Sequence, residues 1–250
     1  MIVSRWRLVK KPPETWFWSH DIKPTQIDSV VVPGTRLMRL SSYGHGTARR
    51  FAALLHMDGG PARSYALDLD AAALASRLGD SGARAASITA TVGDDGAPRF
   101  SVLLETAPGP LSSVHVDLDD AGVRALVDDG HCIADIATYA AGGARRFAAI
   151  VEERTGPSWV FTGVTPAELD AQLLLFDATL TRLRAYSDGP LLRLAAVAER
   201  GRVGTWAWYA DLDGDGVARN LEDNAAYPVD LDATRDAEGV RYSVVMYRQP

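Results

Sequence analysis

The sharpest chemical pattern in the sequence is Asp211-Leu212-Asp213-Gly214-Asp215-Gly216, followed after five residues by Glu222. It fits the Asp-x-Asp-x-Asp-Gly-x5-Glu pattern of a calcium loop. Hard Ca²⁺ takes oxygens at alternating loop positions, a glycine for the sharp turn and a bidentate glutamate at the last position. On that reading Asp211, Asp213, Asp215 and Glu222 are metal ligands and Ca²⁺ is the cofactor. The same stretch also reads as a capped helix. Asp68-Leu69-Asp70 and Asp117-Leu118-Asp119 occupy the equivalent place without the Asp-Gly or the glutamate, and Arg219 stands where a water-bridging ligand belongs.

Other side chains carry two readings each. Trp16 and Trp18, like Trp206 and Trp208, are two residues apart and share one face of a strand. They either fill a core or, with His20, form an aromatic surface for a sugar or an extended peptide. His131 and Cys132 are neighbours, but adjacent strand residues face opposite ways, so Cys132 is expected to be a buried structural thiol rather than an activated nucleophile. An enzyme would need His20, His45, His115, His131 or Cys132 to converge with an acid in a pocket. Arg50, Arg99, Arg146, Arg193 and Arg241 either pair with Asp21, Asp68, Asp117 and Asp211 or line a funnel for an anion. Gly163 stands where the fourth aspartate is expected.

Those five arginines also set the architecture, since they are 49, 47, 47 and 48 residues apart. Each opens a strand such as Arg50-Phe51-Ala52-Ala53. An aromatic or β-branched strand follows, then an apolar pair four residues apart (Leu74/Leu78, Val123/Val127, Val217/Leu221) that marks one face of a short helix. Asp70, Asp119 and Thr165 are its expected caps. A further apolar residue three before Tyr or Thr (Leu40/Tyr43, Ile136/Tyr139, Leu231/Thr234) marks the last strand. Turn signals at Asp58-Gly59-Gly60-Pro61 and Thr155-Gly156-Pro157 are placed between the first two strands of a unit, and Gly93-Asp94-Asp95-Gly96 between units.

The expected fold is therefore α+β: five tandem strand-strand-helix-strand repeats of about 47 residues, closed into a pseudo-fivefold, propeller-like ring. One repeat domain spans 1–250, with units at 5–49, 50–98, 99–145, 146–192 and 193–240 and a final strand at 241–247. A leading strand is expected over 2–9.

Three elements stand out in the repeat: Trp16-Phe17-Trp18-Ser19-His20-Asp21-Ile22, then Gly34-Thr35-Arg36-Leu37 and Gly82-Ala83-Arg84-Ala85, and the apolar strands at Arg50 and Arg146. In these residues the repeat resembles the family known as bacterial tandem repeat domain 1. The resemblance covers essentially the whole chain and implies a repeat fold like the non-catalytic amino-terminal region of polyglycine hydrolases. There, a separate serine hydrolase domain with a Ser-x-x-Lys motif performs the chemistry. None of the three lysines (Lys10, Lys11, Lys23) follows a serine at that spacing, and the repeat histidine survives only as His20.

Composition narrows the function classes. A net charge of −6 argues against a nucleic-acid binder, and a single cysteine excludes a disulfide framework. No run approaches the roughly 18 apolar residues of a membrane span, and no signal peptide is evident. The chain reads at face value as cytoplasmic, or as extracellular if a signal has been removed. The expectation is a monomeric, non-catalytic binding or scaffolding module for a peptide or protein partner. The alternatives are a small enzyme with an axial pocket (pentein-like or a hydrolase) and a calcium-stabilised carbohydrate-binding module.

Overall fold

The strands that open on the repeated arginines are apolar at consecutive positions, as in Phe51-Ala52-Ala53-Leu54-Leu55, which is the pattern of a strand covered on both faces. A computed structural model describes residues 12–128, 131–154, 156–201, 205–236 and 238–248 and places each such strand at the centre of a three-stranded antiparallel sheet. The expected leading strand 2–9 and Thr155 lie outside the described residues.

Unit one runs β1 (Thr15–Ile22), α1 (Ile27–Val30), β2 (Arg36–Tyr43), β3 (Arg50–Met57), in sheet order β1-β3-β2. Unit two repeats this as β4 (Arg63–Leu69), α2 (Ala71–Ser81), β5 (Arg84–Val92), β6 (Pro98–Glu105). Unit three has β7 (Ser112–Leu118), α3 (Asp120–Asp128), β8 (Cys132–Ala141), β9 (Ala144–Glu152), and unit four β10 (Ser158–Val164), α4 (Pro166–Phe176), β11 (Ala178–Asp188), β12 (Leu191–Arg200). Unit five has β13 (Trp206–Leu212), α5 (Gly214–Asp223), β14 (Ala226–Arg235), β15 (Val240–Arg248). The expected caps are in place, with Asp70 accepting from Ala73 N (2.7 Å), Asp119 from Gly122 N (2.7 Å) and Thr165 forming a capping box with Glu168.

The phase of the repeat differs from the sequence expectation. Each sheet is strand-helix-strand-strand, so boundaries at 50, 99, 146, 193 and 241 cut every sheet at or just inside the start of its central strand. The two kinds of turn exchange roles. Gly93 to Ala97 closes a hairpin within one sheet, where Val92 pairs Pro98, whereas 58–62 crosses from one sheet to the next. Both are rich in Gly and Asp, and turn chemistry alone does not say which strands a turn joins into one sheet.

The repeated aspartates have a backbone role. In every first strand the register shifts by one residue, and at the bulge Asp21, Asp68, Asp117, Gly163 and Asp211 take φ between 57° and 69°. Asp and Gly are the residues that tolerate this left-handed conformation, which is why glycine substitutes for aspartate in unit four. The bulge amide of Asp21, Asp117 and Gly163 donates to the hydroxyl of Tyr43 (2.9 Å), Tyr139 (2.9 Å) and Tyr186 (3.1 Å). In these three units the tyrosine therefore pins the first strand of the sheet to the second, across the central strand.

Apolar packing falls between units. Ile27 and Phe51 of unit one pack with Leu103 of unit two, Ile88 and Phe100 with Ile150 of unit three, and Ile136 and Phe147 with Val197 of unit four. Leu169 and Leu183 of unit four pack with Tyr247 of unit five, and Val217 and Leu221 of unit five with Leu54 of unit one. Short helices of a single apolar stripe need this cover, since they are unstable alone. No helix among the described residues is long and apolar enough to cross a membrane.

Candidate functional site

The inner strands β2, β5, β8, β11 and β14 are edge strands of their own sheets, and each touches the inner strand of the next unit, β14 touching β2. Every one carries a bulge, at Met38, Ala86, Ala134, Thr181 and Val229, and the next residue is polar: Arg39, Ser87, Asp135, Arg182, Asp230. Two residues further on come Ser41, Thr89, Ala137, Arg184 and Asp232. These positions tie neighbouring units together. Ser42 N donates to Thr89 Oγ1 (3.0 Å), Ile88 N to Asp135 (2.8 Å), Leu183 N to Asp230 (2.8 Å), and Ala233 N to Ser41 Oγ (2.9 Å).

At the centre lies a buried ion cluster in which Arg39, Asp135, Arg184 and Asp230 are each at most 1% exposed. Arg184 donates to Asp230 Oδ2 (2.5 Å), Asp135 Oδ1 (2.6 Å) and the Ile136 carbonyl (2.7 Å). Arg39 donates to Asp135 and to Ser87 Oγ (2.6 Å). Burial alone would raise the Asp135 pKa, but Arg39, Arg184 and Arg182 outweigh it and hold the carboxyl down at about 2. The two arginines are unequal. Burial lowers both pKa values, but Asp230 and Asp135 reverse this for Arg184, whereas Arg39 remains lowered, with Arg184 adding to the effect. The geometry accounts for the difference, because Arg39 Nε and Nη2 have no hydrogen-bond partner.

Asp232 is the least compensated carboxylate of the cluster. Ser41 Oγ donates to it (2.7 Å), but Arg39 Nη2 and Arg184 Nε stand 3.7 and 3.8 Å away, too far for hydrogen bonds. Burial accordingly raises its pKa despite both arginines.

A cavity opens at each end of this cluster. The one at the carboxyl ends of the inner strands, about 340 Å³, is lined by all five units, among them Ser42, Thr89, Thr138, Arg184 and Asp232. The one at their amino ends, about 500 Å³, is lined by Arg36, Arg63, Glu152, Arg182 and Tyr227. Around that second mouth a chain of ion pairs runs through Asp58, Arg36, Glu105, Arg84, Glu152, Arg154 and Glu199. Burial opposes ionisation of Glu105, but Arg63 and Arg84 hold its pKa below the ordinary value.

No protein-family model matches this chain, and no curated protein is similar enough to count as a relative.

Of the candidate site residues singled out from sequence, the tryptophans, His20 and the acidic loop lie away from these cavities. Trp206 and Trp208 pack against the core of unit four, where Trp208 Nε1 donates to Asp170 (3.1 Å). Trp16 and Trp18 pack against the core shared by units five and one, and His20 stacks on Trp18 at 5.4 Å. A side chain on Gly214 at the start of α5 would meet both Trp18 and His20. All four tryptophans are half-buried and pack at seams between units, while His20 is exposed.

The stretch with the calcium-loop pattern is folded as a capped helix. Residues Gly214–Asp223 are helix α5, and Asp213 is its cap, accepting from Gly216 N (2.6 Å). The helix sets Asp215 and Glu222 about two turns apart, and Asp211 stands 3.6 Å from Arg241 instead. Among the described residues no three His, Cys, Asp or Glu side chains are placed to hold a metal.

The repeated arginines pair with the bulge aspartates in three units: Arg50 with Asp21 (3.2 Å), Arg146 with Asp117 (3.3 Å) and Arg241 with Asp211. Arg49 takes Asp68 instead, Arg99 bonds Asp95, and Arg193 lies 3.9 Å from Glu168 and Asp188. Cys132 is buried with Sγ 3.1 Å from the Arg154 carbonyl and lines neither cavity. His115 bonds Ser113 (3.0 Å). His45 is the one predicted histidine that lines the first cavity, with Nδ1 3.1 Å from the Val92 carbonyl.

Proposed function

We propose that the chain is a non-catalytic binding module for a peptide, built as a closed pseudo-fivefold, propeller-like ring, with the ligand seated in the axial cavity at the carboxyl ends of the inner strands. The observation that carries this reading is the lining of that cavity by the same strand from each of the five units. Packing of unit five on unit one and the bonds from Asp232 and Ala233 to Ser41 support closure.

The cavity walls suit binding more than chemistry. Thr89, Thr91, Thr138 and Thr234 line it with hydroxyls that both donate and accept, the complement of peptide N–H and C=O groups. The volume is at the small end of ligand-sized pockets, so it suits a peptide end or a single side chain. The resemblance to a non-catalytic repeat region agrees with this reading.

Peptides selected on the protein from a random displayed library are expected to lose at least about tenfold in affinity when Thr138→Trp fills the cavity. Unchanged binding by that variant, with the protein still folded, would overturn the proposal.

A further inference from the structure

Resting on the binding reading above, we infer that the group received at the cavity floor is a ligand ammonium, anchored by Asp232. Asp232 lines the cavity and is short of hydrogen-bond partners. An ionised carboxylate has about four acceptor sites. Asp232 receives a hydrogen bond from Ser41 Oγ, while its nearest guanidinium nitrogens stay at 3.7 and 3.8 Å. Buried polar atoms short of partners are costly, so a ligand that supplies donors gains most here. An ammonium brings three donors to hydrogen-bond distance, where the two guanidinium groups do not reach.

The neighbouring cations do not take this place. Arg184 already donates to Asp135, Asp230 and the Ile136 and Leu183 carbonyls. Arg39 is directed to Asp135 and Ser87. At the mouth Arg145 lies over the Tyr186 ring at 4.4 Å and donates to the Ser187 carbonyl. The other charged groups on the wall are His45, Arg235 and Asp236. Arg39, Arg184 and Asp230 act on Asp232 directly, and its raised pKa means that acid weakens ammonium binding at a higher pH than an ordinary aspartate would.

The amine can be a lysine side chain or a peptide amino terminus, and two probes separate them. Acetyl-Lys-Lys-Lys-amide carries side-chain amines alone, and Ala-Ala-Ala-amide a terminal amine alone. Calorimetry at neutral pH should show saturable binding of one or both, reduced at least about tenfold by acetylation of the amine and by Asp232→Asn. Asparagine keeps an acceptor for Ser41, so this variant should fold, and an unchanged unfolding curve checks it. If it does not fold, Asp232→Ser, which keeps a smaller acceptor for Ser41, gives the same comparison. Failure of both probes to bind, or binding indifferent to acetylation or to Asp232→Asn, overturns the inference. If library peptides still require an unfilled cavity in that case, the binding reading stands and the ammonium anchor alone falls.

Discussion

Arg184→Met should cost about 3–5 kcal/mol of folding stability, a large share of what a domain has in total. The guanidinium compensates two fully buried carboxylates, Asp135 and Asp230, and methionine leaves Asp230 without its hydrogen-bonded counter-charge and Asp135 with that of Arg39 alone. Breaking one member of a buried ion cluster is far worse than replacing the whole cluster, because the partner charges stay desolvated. Arg39→Met should cost less, since two of the Arg39 nitrogens make no hydrogen bond. Urea unfolding of both variants gives the comparison, and equal losses would contradict the asymmetry. Acid should act on the same cluster. Asp135 falls from an ordinary 3.8 to about 2 in the folded chain, so its contribution is complete above 3.8 and is lost as pH drops toward 2. Asp232 has the opposite sign, its raised pKa being a cost above that value which protonation relieves.

The second large effect is expected at the left-handed bulge. Asp117→Val places a β-branched residue at φ 58° and should cost about 1–3 kcal/mol. Asp117→Gly removes that strain and forgoes the pairing with Arg146, which lies at an exposed carboxylate and is worth well under 1 kcal/mol. Gly163→Asp, at φ 69°, should be tolerated for the same backbone reason. Thermal unfolding of the three variants distinguishes this from a pairing account, in which Asp117→Gly and Asp117→Val would be equally harmful.

The period, the helix caps and the apolar helix stripes were legible because they depend on local spacing, and Asp70, Asp119 and Thr165 cap the helices they were expected to cap. The sheet phase was not, because hairpin turns and crossings between sheets use the same residues. The calcium pattern has a structural reading residue by residue, since Asp211 is the bulge of β13, Asp213 the cap of α5, Asp215 in its first turn and Glu222 in its last. The ion cluster escaped notice because its members differ in type at equivalent positions, so an alignment on identical residues passes over them. One signal was present. A polar residue directly precedes each apolar anchor of the inner strands, at Arg39, Ser87, Asp135, Arg182 and Asp230, where a fully apolar strand would be simplest. Buried charges at one repeated position require counter-charges from the other units, and so mark a common centre.

Closure is the claim on which the cavity and its ligand depend, and a double-mutant cycle on Ser41 and Asp232 measures it. These residues are 191 positions apart, in the first and last units, and share a hydrogen bond at 2.7 Å. Ser41→Ala, Asp232→Ala and the double variant should show a coupling of about 1 kcal/mol in unfolding free energy. Losses that add to within about 0.3 kcal/mol would mean that the first and last units do not meet, and that the repeats form an open array.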